Sequence, residues 1–213
     1  LVYSPTTFTK CEFIGSSTNG GDGGAFYISS TDVTMDHCVF AYDSASYQYP
    51  AGSYNGGAIF FHGTSDGVFE NCTFYKCYAR GLGGTLYLHA AANPVFKNCI
   101  ISDSQQGSAI HIYYSQNAAF EYTCFYGNSG GLGTTSSNLP AGLGTINGTN
   151  ANGDPCDTFG NIFLNPMYVD AANMDLHLQA SSPCIDAGDP SSAPDPDSTC
   201  CDMGAYYYDQ GGA

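Results

Sequence analysis

"GGAFYISSTDVTMDHCVF", Gly23 to Phe40, decides the fold, because the chain writes it again three times. The later copies are "GGAIFFHGTSDGVFENCTF" (Gly56 to Phe74), "GGTLYLHAAANPVFKNCII" (Gly83 to Ile101) and "GSAIHIYYSQNAAFEYTCF" (Gly107 to Phe125). The paired glycines and the cysteine drift together along the chain. Cys11, Cys38, Cys72 and Cys99 recur at one place in the unit, and Thr123 takes the next. The interval falls within the roughly 20–50 residues that mark stacked repeats. Variation in length sits in the connections, of which "AYDSASYQYPAGSYN" (Ala41 to Asn55) is the longest.

Each copy holds two strand signals. The first alternates with period 2 behind the glycines and points Phe26/Ile28, Ile59/Phe61, Leu86/Leu88 and Ile110/Ile112 inward. The second turns inward at Met35, Phe69, Phe96 and Phe120, breaks at a polar pair, then turns inward again at Cys38/Phe40, Cys72/Phe74, Cys99/Ile101 and Thr123/Phe125. No stretch keeps a helical period. Short all-strand repeats with matching inward residues are satisfied when each coil bonds the next at about 4.8 Å and buries its side chain on the copy beside it. The pattern therefore predicts an all-β chain, a right-handed parallel β-helix. Regular coils are expected over 1–128 and looser coils of the same solenoid over 129–213. A β-sandwich would need two-residue hairpin dipeptides, which are missing.

Composition narrows the function. The 213 residues carry 4 Lys+Arg against 19 Asp+Glu, a formal charge of -15. A nucleic-acid binder needs clustered cations to displace counterions, so that class is set aside. Anionic membranes and polyanionic polysaccharides are disfavoured for the same reason, and no apolar run has the length of a membrane span. The residues before the repeated cysteines, Lys10, His37, Asn71 and Asn98, occupy a turn, where Asn tolerates the left-handed conformation and can bond its copy. Asn71-Cys72-Thr73 is also a glycosylation sequon, with the ladder role preferred. Asn147-Gly148-Thr149 is a second sequon, in a Gly-rich loop where a eukaryotic source would place a glycan.

On the outward side of the first strand stand Tyr27, Phe60, Tyr87 and His111, flanked by the small Ala25, Ala58, Thr85 and Ala109. Two roles are open. Like rings stack in coils at about 0.5–1.5 kcal/mol per pair, or the stripe is a platform for sugar rings or another subunit. The loop Ala41 to Asn55, with Tyr42, Tyr47, Tyr49 and Tyr54, is a candidate cover. Asp36, Glu70, Lys97 and Glu121 form an outward rung rather than a catalytic carboxylate pair. His62, His89 and His111 end first strands without a nucleophile that the sequence places nearby.

The C-terminal part, "GNIFLNPMYVDAANMDLHLQASSPCIDAGDPSSAPDPDSTCCDMGAYYYD", resembles the closing segment of bacterial secreted right-handed β-helix proteins of the choice-of-anchor type. The matching runs are Asn161 to Asp170, Asp175 to Gly188 and Asp202 to Tyr206. The pair Cys200-Cys201 departs from the pattern. The resemblance implies an exported protein of the cell surface and no single activity, since the fold hosts enzymes, adhesins and fibres. With export implied, the staples expected are Cys184 with Cys200 or Cys201, and Cys156 with the other. Cys11, Cys38, Cys72 and Cys99 are expected to stay buried free thiols, because stacked Cβ vectors run parallel. Asp186, Asp189, Asp195, Asp197 and Asp202 crowd one segment, either as a solvated acidic loop or as a structural calcium site. No other cofactor is expected.

These features give the functional expectation. The preferred role is a non-catalytic structural protein of the cell exterior that self-associates into a homopolymer, as a fibre or sheath subunit. The alternative is a carbohydrate-binding or polysaccharide-degrading β-helix module meeting surface glycans. Self-association is expected from the first coil, which no amphipathic helix precedes, and from an end on "GAYYYD" that reads as strand rather than cap.

Overall fold

The computed structural model describes residues 4–46, 52, 54–114, 117–134 and 136–211. The first coil carries β1 (Thr6–Thr9), β2 (Glu12–Ile14), β3 (Ser17–Asn19) and β4 (Phe26–Ser29). The second carries β5 (Val33–Asp36), β6 (Val39–Ala41), β7 (Ser44–Ser46) and β8 (Ile59–His62). The third carries β9 (Gly67–Glu70), β10 (Thr73–Tyr75), β11 (Tyr78–Ala79) and β12 (Leu86–His89). Then follow β13 (Val95–Lys97), β14 (Ile100–Ser102) and β15 (Ile110–Tyr113), and a last partial coil of β16 (Ala119–Glu121) and β17 (Cys124–Tyr126). Strands from successive coils stack as β1-β5-β9-β13-β16, β2-β6-β10-β14-β17, β3-β7-β11 and β4-β8-β12-β15. Every one of these pairings is parallel. The chain is a parallel β-helix, as the repeat predicts.

The register puts like on like. Phe8, Met35, Phe69, Phe96 and Phe120 form one inward ladder, and Phe13, Phe40, Phe74, Ile101 and Phe125 another. Their rings stack along the axis, with centroids 4.6 Å apart for Phe40–Phe74 and for Phe69–Phe96. From the second coil onward these positions lose nearly all contact with water, which at about 25 cal/mol per Å² of apolar surface is the main term holding the coils together.

Left-handed residues make the corners. Lys10, His37, Asn71, Asn98 and Tyr122 all have φ between 46° and 52°, and each directly precedes a ladder Cys or Thr123. That side chain then donates back to the carbonyl two residues before it: Cys72 Sγ to Glu70 O at 3.2 Å, Cys99 Sγ to Lys97 O at 3.2 Å, Thr123 Oγ1 to Glu121 O at 3.0 Å. The two glycines have separate duties. Gly23, Gly56 and Gly83 supply a positive φ, whereas a Cβ on Gly24 or Gly57 would collide with the carbonyl oxygen of Gly57 or Gly84 in the next coil.

Past Tyr126 the chain first closes the end of the solenoid. Ile110 and Tyr122 donate to Leu132 and Phe159, and Phe125 to Ile162, while Leu132, Leu139, Leu143, Phe159 and Phe163 pack on the core. This cap includes β18 (Gly148–Thr149) and β19 (Pro155–Cys156). Here the expectation of an uncovered C-terminal end is corrected. Residues 164–211 then run back over the outer face of the β2-β6-β10-β14-β17 sheet, with β20 (Tyr168–Asp170), a 3-10 turn (Ala171–Asn173) and β21 (Asp175–Leu178). This strap buries Tyr168, Leu176, Leu178, Cys184 and Met203 against Val39, Tyr75, Ile100 and Cys124. Gly204 N donates to Asn98 O, Ala205 N to Thr73 Oγ1, and Tyr206 Oη to Glu12 Oε1 on the first coil. Among the described residues no helix is long and apolar enough to cross a membrane.

The cysteine expectations divide. Cys38, Cys72 and Cys99 are buried free thiols as expected and Cys11 is a free thiol only partly buried, but the staples among Cys156, Cys184, Cys200 and Cys201 are not formed. The four thiols have different surroundings. Cys156 lies in the cap and Cys184 against the outer sheet face. Cys201 sits over the Asn98 corner, accepting from Asn98 Nδ2 at 3.4 Å, and Cys200 Sγ lies 3.9 Å from Gly188 O.

Candidate functional site

The aromatic stripe exists as a ladder: Tyr27–Phe60, Phe60–Tyr87 and Tyr87–His111 have centroids 5.1, 5.0 and 5.0 Å apart and ring planes within 24° of parallel. A second column, His62–His89–Tyr113, runs beside it at 5.3 and 5.4 Å. The small neighbours leave Tyr27 partly exposed and the other three rings closed. Phe60, Tyr87 and His111 are 5%, 8% and 1% exposed, burial lowers the His111 pKa, and His111 Nδ1 lies 3.1 Å from Thr134 Oγ1. Ring faces are spent on one another along the axis, so the stack turns edges outward, and a sugar stacks on a face. The covering role expected of Tyr47 and Tyr49 lies outside the described residues.

The acidic segment is taken up by bonds within the strap and to the solenoid. Asp189 Oδ2 pairs with Lys97 Nζ at 2.6 Å. Asp195 accepts from Asp202 N, Asp197 from Thr199 and Gln210 N, and Asp202 from Asp186 N and Tyr208 N. The carboxylates cap backbone N–H groups of a loop-rich strap that has little ladder of its own. Among the described residues no three acidic, His or Cys side chains gather as a metal-ligating set. The sequons differ too. Asn147 is exposed, whereas Asn71 is partly buried and its Oδ1 has no partner. The ladder role fails at Asn98, whose side chain bonds Ser192, Cys201 and Asp189 N of the strap rather than a copy of itself.

The chemically richest place forms where the strap reaches the first two coils. A cleft of about 250 Å³ is lined by Lys10, Glu12, His37 and Val39 from the coils and by His177, Tyr206 and Tyr207 from the strap. Tyr206 stacks on His177 at 4.3 Å and donates its hydroxyl to Glu12 Oε1 at 2.6 Å. Burial, then the Glu12 carboxylate, push the Tyr206 pKa well up, so it stays a donor at neutral pH. Each imidazole is held through Nδ1 by a neighbouring carboxylate: His37 by Asp36 at 2.7 Å, His177 by Asp175 at 2.8 Å. With Nδ1–H given to the carboxylate, Nε2 is the acceptor of each neutral ring. The hydrogen bonds from His177 lower the Asp175 pKa in turn. Sequence reasoning missed this site because Glu12 and Tyr206 are 194 positions apart. The local signals were the adjacent Asp36-His37 and the Asp175-x-His177 spacing.

Residues 2–149 match the family described as "Right handed beta helix region". The chain belongs to that family. The match ends in the cap, so the strap and its half of the cleft are this right-handed β-helix protein's addition to the matched region. Searches of curated proteins and of solved structures find no match. The family is compatible with both polysaccharide-degrading and structural roles.

Proposed function

We propose that this protein is a non-catalytic saccharide-binding β-helix module of the cell exterior, the cleft between its first coils and its strap being the binding site. The observation that carries this is the joining of an aromatic wall to fixed hydrogen-bonding groups in one concave site: Tyr206 and Tyr207 beside Glu12, His37 and His177. Small-ligand sites combine an apolar surface with a few oriented polar groups, and a sugar presents both an apolar ring face and hydroxyls. The net charge of -15 favours a neutral saccharide over a polyuronate. Acid hydrolysis uses two carboxyl groups across the bond. Among the described residues Glu12 is the one carboxylate lining the cleft, while Asp36 and Asp175 are committed to imidazoles. Export rests on the resemblance of the closing segment. Calorimetric titration across a panel of neutral glycans tests this: binding should be lost in Tyr206→Ala, with no new reducing ends in the wild type. Release of reducing ends, or no binding across the panel, defeats the proposal.

A second role, the self-associating subunit of a surface fibre or sheath, is favoured by the first coil. Among the described residues β1 to β4 have a neighbour on one side only, and such an edge templates another strand. Sedimentation at rising concentration should then show growing assemblies. A monomer throughout removes this role and leaves the cleft unaffected.

A further inference from the structure

The ladder thiols of Cys38, Cys72 and Cys99 project side by side from successive coils, and parallel Cβ vectors do not suit the roughly 90° torsion of a disulfide. Cys124 is placed differently. It pairs with Ile100 on the outward face of its sheet, where Val39 and Ile100 meet the strap, and Cys184 comes from the strap that covers that face. The two side chains thus approach from opposed surfaces. Both are fully buried at 0% exposure, in one cluster of packed side chains. Cys124 Sγ donates to Leu164 O at 3.2 Å, where the strap begins, and Cys184 N donates to Ser182 Oγ at 3.1 Å.

We propose that Cys124 and Cys184 are the site of an oxidative cross-link that pins the strap to the solenoid. The oxidant is a low-molecular-weight disulfide. One cysteine thiolate attacks a sulfur of it, forming a mixed disulfide and expelling one small thiolate. The other cysteine thiolate then attacks the protein sulfur of the mixed disulfide, forming the Cys124–Cys184 bond and expelling the second. The pair loses two protons and two electrons, and one small disulfide becomes two thiols. Burial holds the Cys184 pKa far above the usual thiol range, so the closed protein is a poor nucleophile and the bond forms while the strap docks. The cross-link lies between His177 and Tyr206 along the strap, the two strap residues that stack in the cleft.

The test refolds the reduced full chain in a glutathione redox buffer, alkylates remaining thiols and digests without reduction. The expected product is a peptide pair joining Cys124 to Cys184, with a melting temperature several degrees above that of the reduced protein. The Cys124→Ser/Cys184→Ser variant should melt alike in both buffers. Recovery of Cys124 and Cys184 as alkylated thiols, or of Cys184 joined to Cys156, Cys200 or Cys201, overturns the proposal.

Discussion

Cys72 shows why the repeat writes cysteine after its left-handed corner. Its sulfur is fully buried and faces two carbonyls, Glu70 O at 3.2 Å and Met35 O of the preceding coil at 3.5 Å. The site wants a small side chain with a donor, and Thr123 meets the same need with a hydroxyl. Cys72→Thr and Cys72→Val have nearly equal size but differ in that donor. The Val variant should be less stable than the Thr variant by about 1 kcal/mol, since it leaves carbonyls without their partner. Urea unfolding of the two measures this, and equal stabilities would remove the donor from the account. The residue before the cysteine is constrained more tightly. Asn98 combines φ 51° with three side-chain bonds to the strap, so no other residue type fills both duties.

The strap is the element whose docking the rest of the site depends on. Its charged anchor is Lys97, 2.6 Å from Asp189 and 3.9 Å from Glu70, with Lys97 and Asp189 side chains 22% and 13% exposed. Burial acts to raise the Asp189 pKa, but the hydrogen bonds from Lys97 and Ser191 outweigh it and the net shift is downward. A depressed carboxylate contributes stability above its unfolded value that is lost as pH falls through the folded one, so this anchor weakens only below 3.8. Lys97→Met removes the cation and leaves Asp189 with its Ser191 bonds alone, at a cost of about 1–3 kcal/mol. The loss should be local: at neutral pH the Gly188 and Asp189 amides, bonded to Cys201 O and Asn98 Oδ1, should exchange faster while amides of β8 to β14 do not. Uniform acceleration in both places would show that strap and solenoid unfold as one unit.

Across the whole molecule, two buried acids set the pH response. Burial raises Asp43 and Asp202 to about 7. Asp43 accepts from Ser16 N through Oδ1, while Oδ2 is buried without a partner. A carboxylate whose folded pKa lies above its unfolded value of 3.8 binds more protons folded than unfolded between the two. Its contribution is complete below 3.8 and is lost as pH rises toward about 7. Ionisation of the many other acids adds self-repulsion of the same sign. The melting temperature should therefore fall between pH 4.5 and 7.5, and Asp43→Asn, which keeps the acceptor for Ser16 N, should flatten the slope. An unchanged slope in that variant would assign the effect to the surface charge instead.

By itself the sequence determined the solenoid. Coil-to-coil packing repeats one set of contacts, so Phe, Cys and Gly at fixed positions reveal the period, the inward faces and the corners without any long-range information. It also holds a further signal: Val39, Ile100 and Cys124, with Thr73 among them, stand between each ladder position and the next inward residue and form a mostly apolar outward row that demands a cover. Only the tertiary structure decided what that cover is. The strap makes each of its contacts once, Tyr206 to Glu12 and Asn98 to Asp189 among them, and a contact made once leaves no periodicity to read. The cleft, the docking of Cys184 on the outer sheet face, and the use of the acids as N–H caps all follow from that one return path.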